Sequence, residues 1–313
     1  TSSNYYEASF NGSKWKTLGI DNRINTQISK NLNVNSNTNI LGILNIESNV
    51  NANQNVNIRE LLNVYNNTTI NRNLNIFDTL NIKQNVNAKS NLNIHEDLNV
   101  YNNANIMKTL IVNANINTKQ NLNVTDTLNI KQNVNAQSNL NINEHLTVYK
   151  NAYVMKTLTV DANINTEQNL NVTDTLNIKQ NVNAKSNLNI HEDLNVYNNA
   201  NIMETLNVNA NINTEQNLNV TDSLNIKQNV NAYSNVNIHE HINVTQNLNI
   251  TGNANIRDSL FLNNKLTVEG RSTFYNDANF RQNLVISGNL IVTGNISFIE
   301  SQQLQINDPI ITI

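Results

Sequence analysis

The chain has 313 residues and a mass of 35.2 kDa; 79 residues are Asn, about a quarter, against one Pro, seven Gly and no Cys. Aromatics at 5% and charged residues at 14% do not supply the mixed core of an ordinary enzyme, and the absence of Cys excludes disulfide scaffolds and thiolate metal sites while leaving the redox compartment open. A net charge of −3 without a basic block gives no electrostatic footprint for nucleic acid, and no apolar run approaches the roughly 18 residues of a membrane span.

Residues 1–19, TSSNYYEASFNGSKWKTLG, hold the only Trp (Trp15) and the adjacent Tyr5 and Tyr6. They contain no repeat and are expected to form an aromatic cap or lead-in, since a solenoid must cover its open terminal coil. The start at Thr1, without the apolar stretch of a signal peptide, leads us to expect a processed chain or a fragment. Residues 20–31 enter a rhythm through Ile24 and Ile28. From Leu32 the chain reads in sixes (LNVNSN, TNILGI, LNIESN, VNANQN) and holds that frame for 45 consecutive hexads, to about Ser301. Residues 20–259 are an Asn-rich shaft; 260–301 continue the hexads with more Gly, as in LTVEGR, LVISGN and LIVTGN. The boundary segment 302–313, QQLQINDPIITI, contains the only proline, Pro309, which stops strand pairing after Asp308.

Within the hexad, positions 1 and 3 are mostly aliphatic. Position 2 is Asn in 33 of the 38 hexads from Leu32 to Ser259, and position 6 in 24 of them, with Thr, Ser, Asp or His its usual replacements. Apolar residues at 1 and 3 flanked by Asn at 6 and 2 alternate with period two, which predicts a short strand with one buried face. Positions 4 and 5 interrupt the alternation and predict a corner. Gly42, Gly252, Gly270, Gly288 and Gly294 all fall at position 5, where a bend with positive φ is expected; Asn at position 6 suits the same corner. A strict period of six does not match a helix. The fold predicted is therefore all-β, a hexapeptide-repeat β-solenoid.

A longer repeat overlies the hexads. Segments 74–121, 122–169 and 170–217 are near-copies of one another, each eight hexads long, and a fourth copy fades after Asn235; LNVYNN at Leu62 recurs six hexads on at Leu98. Both steps are whole numbers of hexads. A triangular coil of three hexads turns an eight-hexad duplication through two faces, tolerable where the faces are nearly equivalent; a square coil would be put out of phase by a step of six. The triangular parallel β-helix is preferred. It can be wound by one chain or by three chains intertwined. Frequent Leu at position 1 strains the single-chain form, which usually wants a small residue beside each corner, so intertwining into a homotrimer is favoured.

The lead-in FNGSKWKTLG and the closing run SGNLIVTGNISFIESQQLQINDPIITI resemble segments of tail-fibre and virion-surface proteins of phages and large DNA viruses. The resemblance is confined to the two ends of the chain and implies a trimeric fibre or appendage shaft on a virion surface or other extracellular appendage. It also implies a knob or chaperone domain downstream, and contacts with other virion proteins or host-surface glycans. The hexad rhythm is more weakly similar to that of bacterofilins, β-helical filament proteins, which are shorter and richer in Gly; that likeness implies a self-polymerising filament.

No catalytic, cofactor-binding or metal residue is assigned: nucleophile–base pairs, a P-loop and a dinucleotide fingerprint are missing, and a solenoid without long insertions has nowhere to build a concave active site. His95 and His191 stand beside two carboxylates in NIHED, but the intervening copy reads NINEH with Asn143 in that place, so these histidines, with His145, His239 and His241, are read as solvated corner residues and not as ligands. Tyr65, Tyr101, Tyr149 and Tyr197 occupy position 4 and are read as corner packing rather than a glycan-binding stripe. The Asn columns are expected to lie on one outer face about 7 Å apart and to form axial amide ladders; ice or glycan binding is the competing role. The sequons at Asn123, Asn171 and Asn219 are expected by chance in so Asn-rich a chain. Low-complexity disorder is disfavoured, because disorder does not require aliphatics at every sixth position.

Overall fold

The computed structural model describes residues 26–28, 31–35, 37–298 and 304–306, the first and last of these segments and Phe298 by backbone alone. The lead-in 1–19 and the Asp308–Pro309 boundary lie outside the described residues. Among the described residues, forty-seven strands of three residues each, from Thr26–Ile28 to Leu304–Ile306, are laid into three parallel sheets of 16, 16 and 15 strands. Each strand pairs with the third strand after it until the last of each sheet, so the three sheets are the faces of a triangular solenoid. Leu80–Ile82, for example, lies between Leu62–Val64 and Leu98–Val100, each three hexads away. That offset is constant along the shaft and changes once, where Leu284 pairs with Leu304 rather than with the residue three hexads on. The hexad frame therefore slips by two residues beyond Phe298. Fifteen steps of about 4.8 Å make a prism about 70 Å long.

Hydrogen bonding continues past the strand ends into the corners. The N–H of position 1 donates to the position-6 carbonyl of the next coil (Leu80 to Asp97, 2.9 Å), and the N–H of position 4 donates back to the position-3 carbonyl of the preceding coil (Lys83 to Val64, 3.0 Å). Positions 1 and 3 point inward, as the alternation predicts. In the coil beginning at Leu80, the residues Leu80, Ile82, Val86, Ala88, Leu92 and Ile94 are all at most 1% exposed. Each large aliphatic so buried contributes on the order of 1.5–3 kcal/mol.

Intertwining is not how this prism is built. An interleaved trimer would insert strands of two other chains between Leu80–Ile82 and Leu98–Val100, which here pair directly within one chain. The strain expected from Leu at position 1 is relieved differently. Each of the 14 coils from Leu44 to Asn295 carries at least one Ala, Ser or Thr among its six inward positions, and only the coil from Ala152 to Asn169 carries two. One small side chain per coil keeps the packed volume near constant without requiring a small residue at every corner. Its place moves among the faces: Ala88, Ala136, Ala184 and Ala232, separated by steps of eight hexads, fall on the second, first, third and second sheets in turn. The duplications do rotate their content by two faces, and the interior accepts them because the faces are interchangeable.

Toward the C-terminal end the same compensation admits aromatics. Phe274 and Phe280 are buried in edge-to-face contact with centroids 6.1 Å apart, and the inward residue two places before each is small, Ser272 and Ala278. The small inward residues also carry a cost. The hydroxyl oxygens of Thr68, Thr118, Thr166, Thr214 and Ser272 are buried without a hydrogen-bond partner.

Candidate functional site

The two Asn columns do different things. At position 2 the side chain projects from the flat face, and its Nδ2 donates to Oδ1 of the Asn one coil below: Asn81 to Asn63 at 2.9 Å, Asn99 to Asn81 at 2.8 Å, Asn117 to Asn99 at 2.8 Å. Such ladders run up all three faces, broken where Thr69, Ile111, Thr147, Tyr153 or Thr159 replaces Asn and ended by Phe261, Thr267 and Thr273. Each amide spends one of its two N–H groups and one oxygen lone pair on the ladder, so one donor and one acceptor still face outward.

At position 6 the side chain turns along the corner instead, and Oδ1 accepts the backbone N–H of the position-6 residue in the next coil. Twenty-nine described corners are closed in this way at 2.8–3.3 Å, 25 by Asn, three by Asp97, Asp193 and Asp277, and one by Nδ1 of His145. The corner leaves this N–H outside the sheet ladder, and an orphaned backbone donor is costly. Asn, Asp and a suitable His tautomer share the one requirement, an acceptor at that reach. Where the preceding coil offers Leu61 or Thr157, the N–H of Thr79 or Thr175 is met by Oδ1 of the adjacent Asp78 (2.7 Å) or Asp174 (2.8 Å). Position 6 is thus a corner staple, not half of a flat face shared with position 2.

The glycines at position 5 also differ from expectation. None of Gly252, Gly270, Gly288 and Gly294 has φ in the left-handed region; a Cβ on Gly270 would instead lie 2.4 Å from the carbonyl oxygen of Gly252, and one on Gly288 equally close to that of Gly270. Gly is needed there because consecutive coils approach closely, close enough for the N–H of Gly270 to donate to Gly252 at 3.2 Å.

Position 4 carries the side chains with the most chemical variety. Tyr65, Tyr101, Tyr149 and Tyr197 are 50–54% exposed, so they stand off the corners rather than packing into them. Tyr65 and Tyr101 are two coils apart on one column, with Lys83 between them and Lys119 beyond. Lys83 Nζ lies 4.1 Å from the Tyr65 ring centroid, and Lys119 Nζ 4.4 Å from that of Tyr101. With the Asn63–Asn135 ladder as floor, this column walls an axial groove of 470 Å³. A second groove, of 850 Å³, lies over the Asn39–Asn93 ladder of the third sheet and is walled by Arg59, Phe77 and His95; the Phe77 and His95 rings stack at 4.6 Å.

The remaining histidines do not converge. His95 Nδ1 lies 3.4 Å from Asn113 Nδ2, and His241 Nδ1 3.4 Å from Asp258. Among the described residues no three His, Asp or Glu side chains gather into a metal-binding group. The sequon residues Asn123, Asn171 and Asn219 are ordinary ladder members, with Asn123 Nδ2 donating to Asn105 at 2.7 Å. Asp222 and Glu240 are a stacked carboxyl pair one coil apart. The Thr205 hydroxyl, donating at 2.8 Å, and the hydrogen bond to Glu240 hold Asp222 below the usual carboxylate range, while that shared bond and the Asp222 charge push Glu240 up.

Comparison with protein-family models, with curated sequences and with solved structures returns no match to this chain. Its function has to be read from its own geometry.

Proposed function

We propose that the chain is a non-enzymatic rigid spacer, the shaft segment of a fibrous appendage that holds its two ends a fixed distance apart on a virion or comparable surface. The observation that supports this most is the unbroken register: from Thr26 to Phe298 every strand pairs at an offset of three hexads, with no insertion to act as a hinge. Axial amide ladders and corner staples add bonds that bending would break, which suits a load-bearing rod. The placement on a virion rests on the terminal motifs FNGSKWKTLG and INDPII.

Deleting three whole coils, residues 98–151, tests the spacer reading. Light scattering gives the number of copies, and electron microscopy or small-angle scattering gives the length. The reading expects a folded rod about 70 Å long for one prism, shortened by about 14 Å in the variant. A variant that unfolds, or a parent chain that bends freely along its length, would count against a spacer. Immunogold labelling of particles from the source with an antibody to the shaft tests the surface placement; label absent from particle surfaces would overturn it.

A further inference from the structure

We infer that the groove walled by Tyr65, Lys83, Tyr101 and Lys119 binds an extended anionic polysaccharide bearing one negative group on every second sugar. Three features of the groove select this ligand, and none depends on the spacer reading. The floor is a column of side-chain amides, each with a free N–H and a free oxygen lone pair outward, the donor-plus-acceptor pairing that a row of sugar hydroxyls requires. The wall presents two half-exposed Tyr rings, each with a lysine ammonium over it that a stacking sugar would displace toward its own acidic group; such rings stack on the C–H faces of sugar rings while the phenol oxygen stays wet. The charge inside the groove is one-signed: Lys83 and Lys119 line it and no carboxylate does, Glu47 standing on the same column one coil before Tyr65, beyond the lining.

Spacing narrows the class further. One Tyr–Lys pair recurs every two coils, about 9.6 Å, the length of about two sugar rings in an extended chain. A polymer with an acidic group on alternate sugars would set one charge beside each ammonium and one ring on each Tyr. Glu60, Asp78 and Glu96 stand at the opposite corner of the same face, outside the groove, and outnumber Arg59 there, so an anionic chain is favoured on the Tyr–Lys edge over the other. The patch is local. Farther along, the same column carries Gln137, Met155 and Thr173, and Tyr149 and Tyr197 fall on other corners because the eight-hexad steps rotate them.

The test is calorimetric titration of the full chain with a hyaluronan decasaccharide, which has one carboxylate per disaccharide, beside a neutral chitin oligosaccharide of similar length. The expected result is hyaluronan binding that weakens with added salt, with much weaker binding of the neutral sugar. Lys83→Gln with Lys119→Gln is expected to lose about tenfold in affinity, and Tyr65→Ala with Tyr101→Ala about tenfold. Tyr149→Ala, on another face, is the control and stays unchanged. All are surface substitutions, and circular dichroism confirms that each variant folds. Failure of hyaluronan to bind, equal binding of the neutral sugar, or a double variant that binds like the parent would each overturn the assignment.

Discussion

Asn133 and Asn123 are the same residue, similarly half-buried in the middle of the rod, yet the structure assigns them unequal energetic roles. Asn133 is a staple: its Oδ1 accepts the backbone N–H of Asn151 at 3.2 Å, and its own Nδ2 donates to Asn115 at 3.2 Å. Asn123 is a ladder rung, donating to Asn105 at 2.7 Å and accepting from Asn141 at 2.8 Å. Asn133→Ala strands a main-chain donor in a corner that is partly closed to water, a loss of about 1–3 kcal/mol. Asn123→Ala frees two amides that already face solvent and can rebond to it, a loss of about 0.5–1 kcal/mol. Asn133→Asp should stay close to the parent, since Asp97 and Asp193 already close corners of the same kind at 2.8 and 2.9 Å. A solenoid can open locally, so the decisive assay is residue-resolved hydrogen exchange. The Asn151 amide should exchange roughly fivefold to a hundredfold faster in Asn133→Ala and be little changed in the other two variants. Equal losses for Asn133→Ala and Asn123→Ala, or an Asp variant as damaged as the Ala variant, would refute the distinction.

Other outcomes follow from the same interior and corners. Thr166→Val replaces a buried, unpartnered hydroxyl with a methyl of like shape, and should raise the urea midpoint by the equivalent of about 1 kcal/mol; a fall would mean that the hydroxyl is bonded. Gly270→Ala drives a Cβ to 2.4 Å from the Gly252 carbonyl oxygen and should cost about 1–3 kcal/mol. An unchanged midpoint would show that the corner can open freely. Glu240 carries a raised pKa beside Asp222, so the folded chain holds that proton more tightly than the unfolded one and ionisation opposes folding above the raised value. Glu240→Gln should therefore stabilise the protein at pH 7, with the gain disappearing below about pH 4, where the parent residue is itself protonated. A gain independent of pH would remove the electrostatic cause.

Much of the candidate site was legible one residue at a time, and the remainder depended on neighbours one full coil away. Asn as a ladder former could be read from its recurrence at position 2. The staple role of position 6 was written only in its substitutes: Asp and His share with Asn an acceptor atom, and this points to a donor whose location requires the stacked coil. The Tyr65–Lys83–Tyr101–Lys119 column was present as a six-hexad spacing between LNVYNN motifs. The eight-hexad copies, by contrast, scatter their tyrosines over the faces. The glycines at position 5 depend on a neighbouring coil in the same way: local bend chemistry suggests positive φ, while the actual constraint is contact with the coil beneath.

Period two within the hexad, period six along the chain and equivalence of the three faces were determined by the sequence alone, because they follow from where aliphatic side chains must go. Whether one chain or three would fill the prism was not. That depended on how six inward side chains share one cross-section, and the answer, one small residue per coil at a place that moves between faces, exists only once successive coils are stacked. Packing volume and corner hydrogen bonds belong to pairs of coils rather than to any stretch of chain, so only the tertiary structure could decide them.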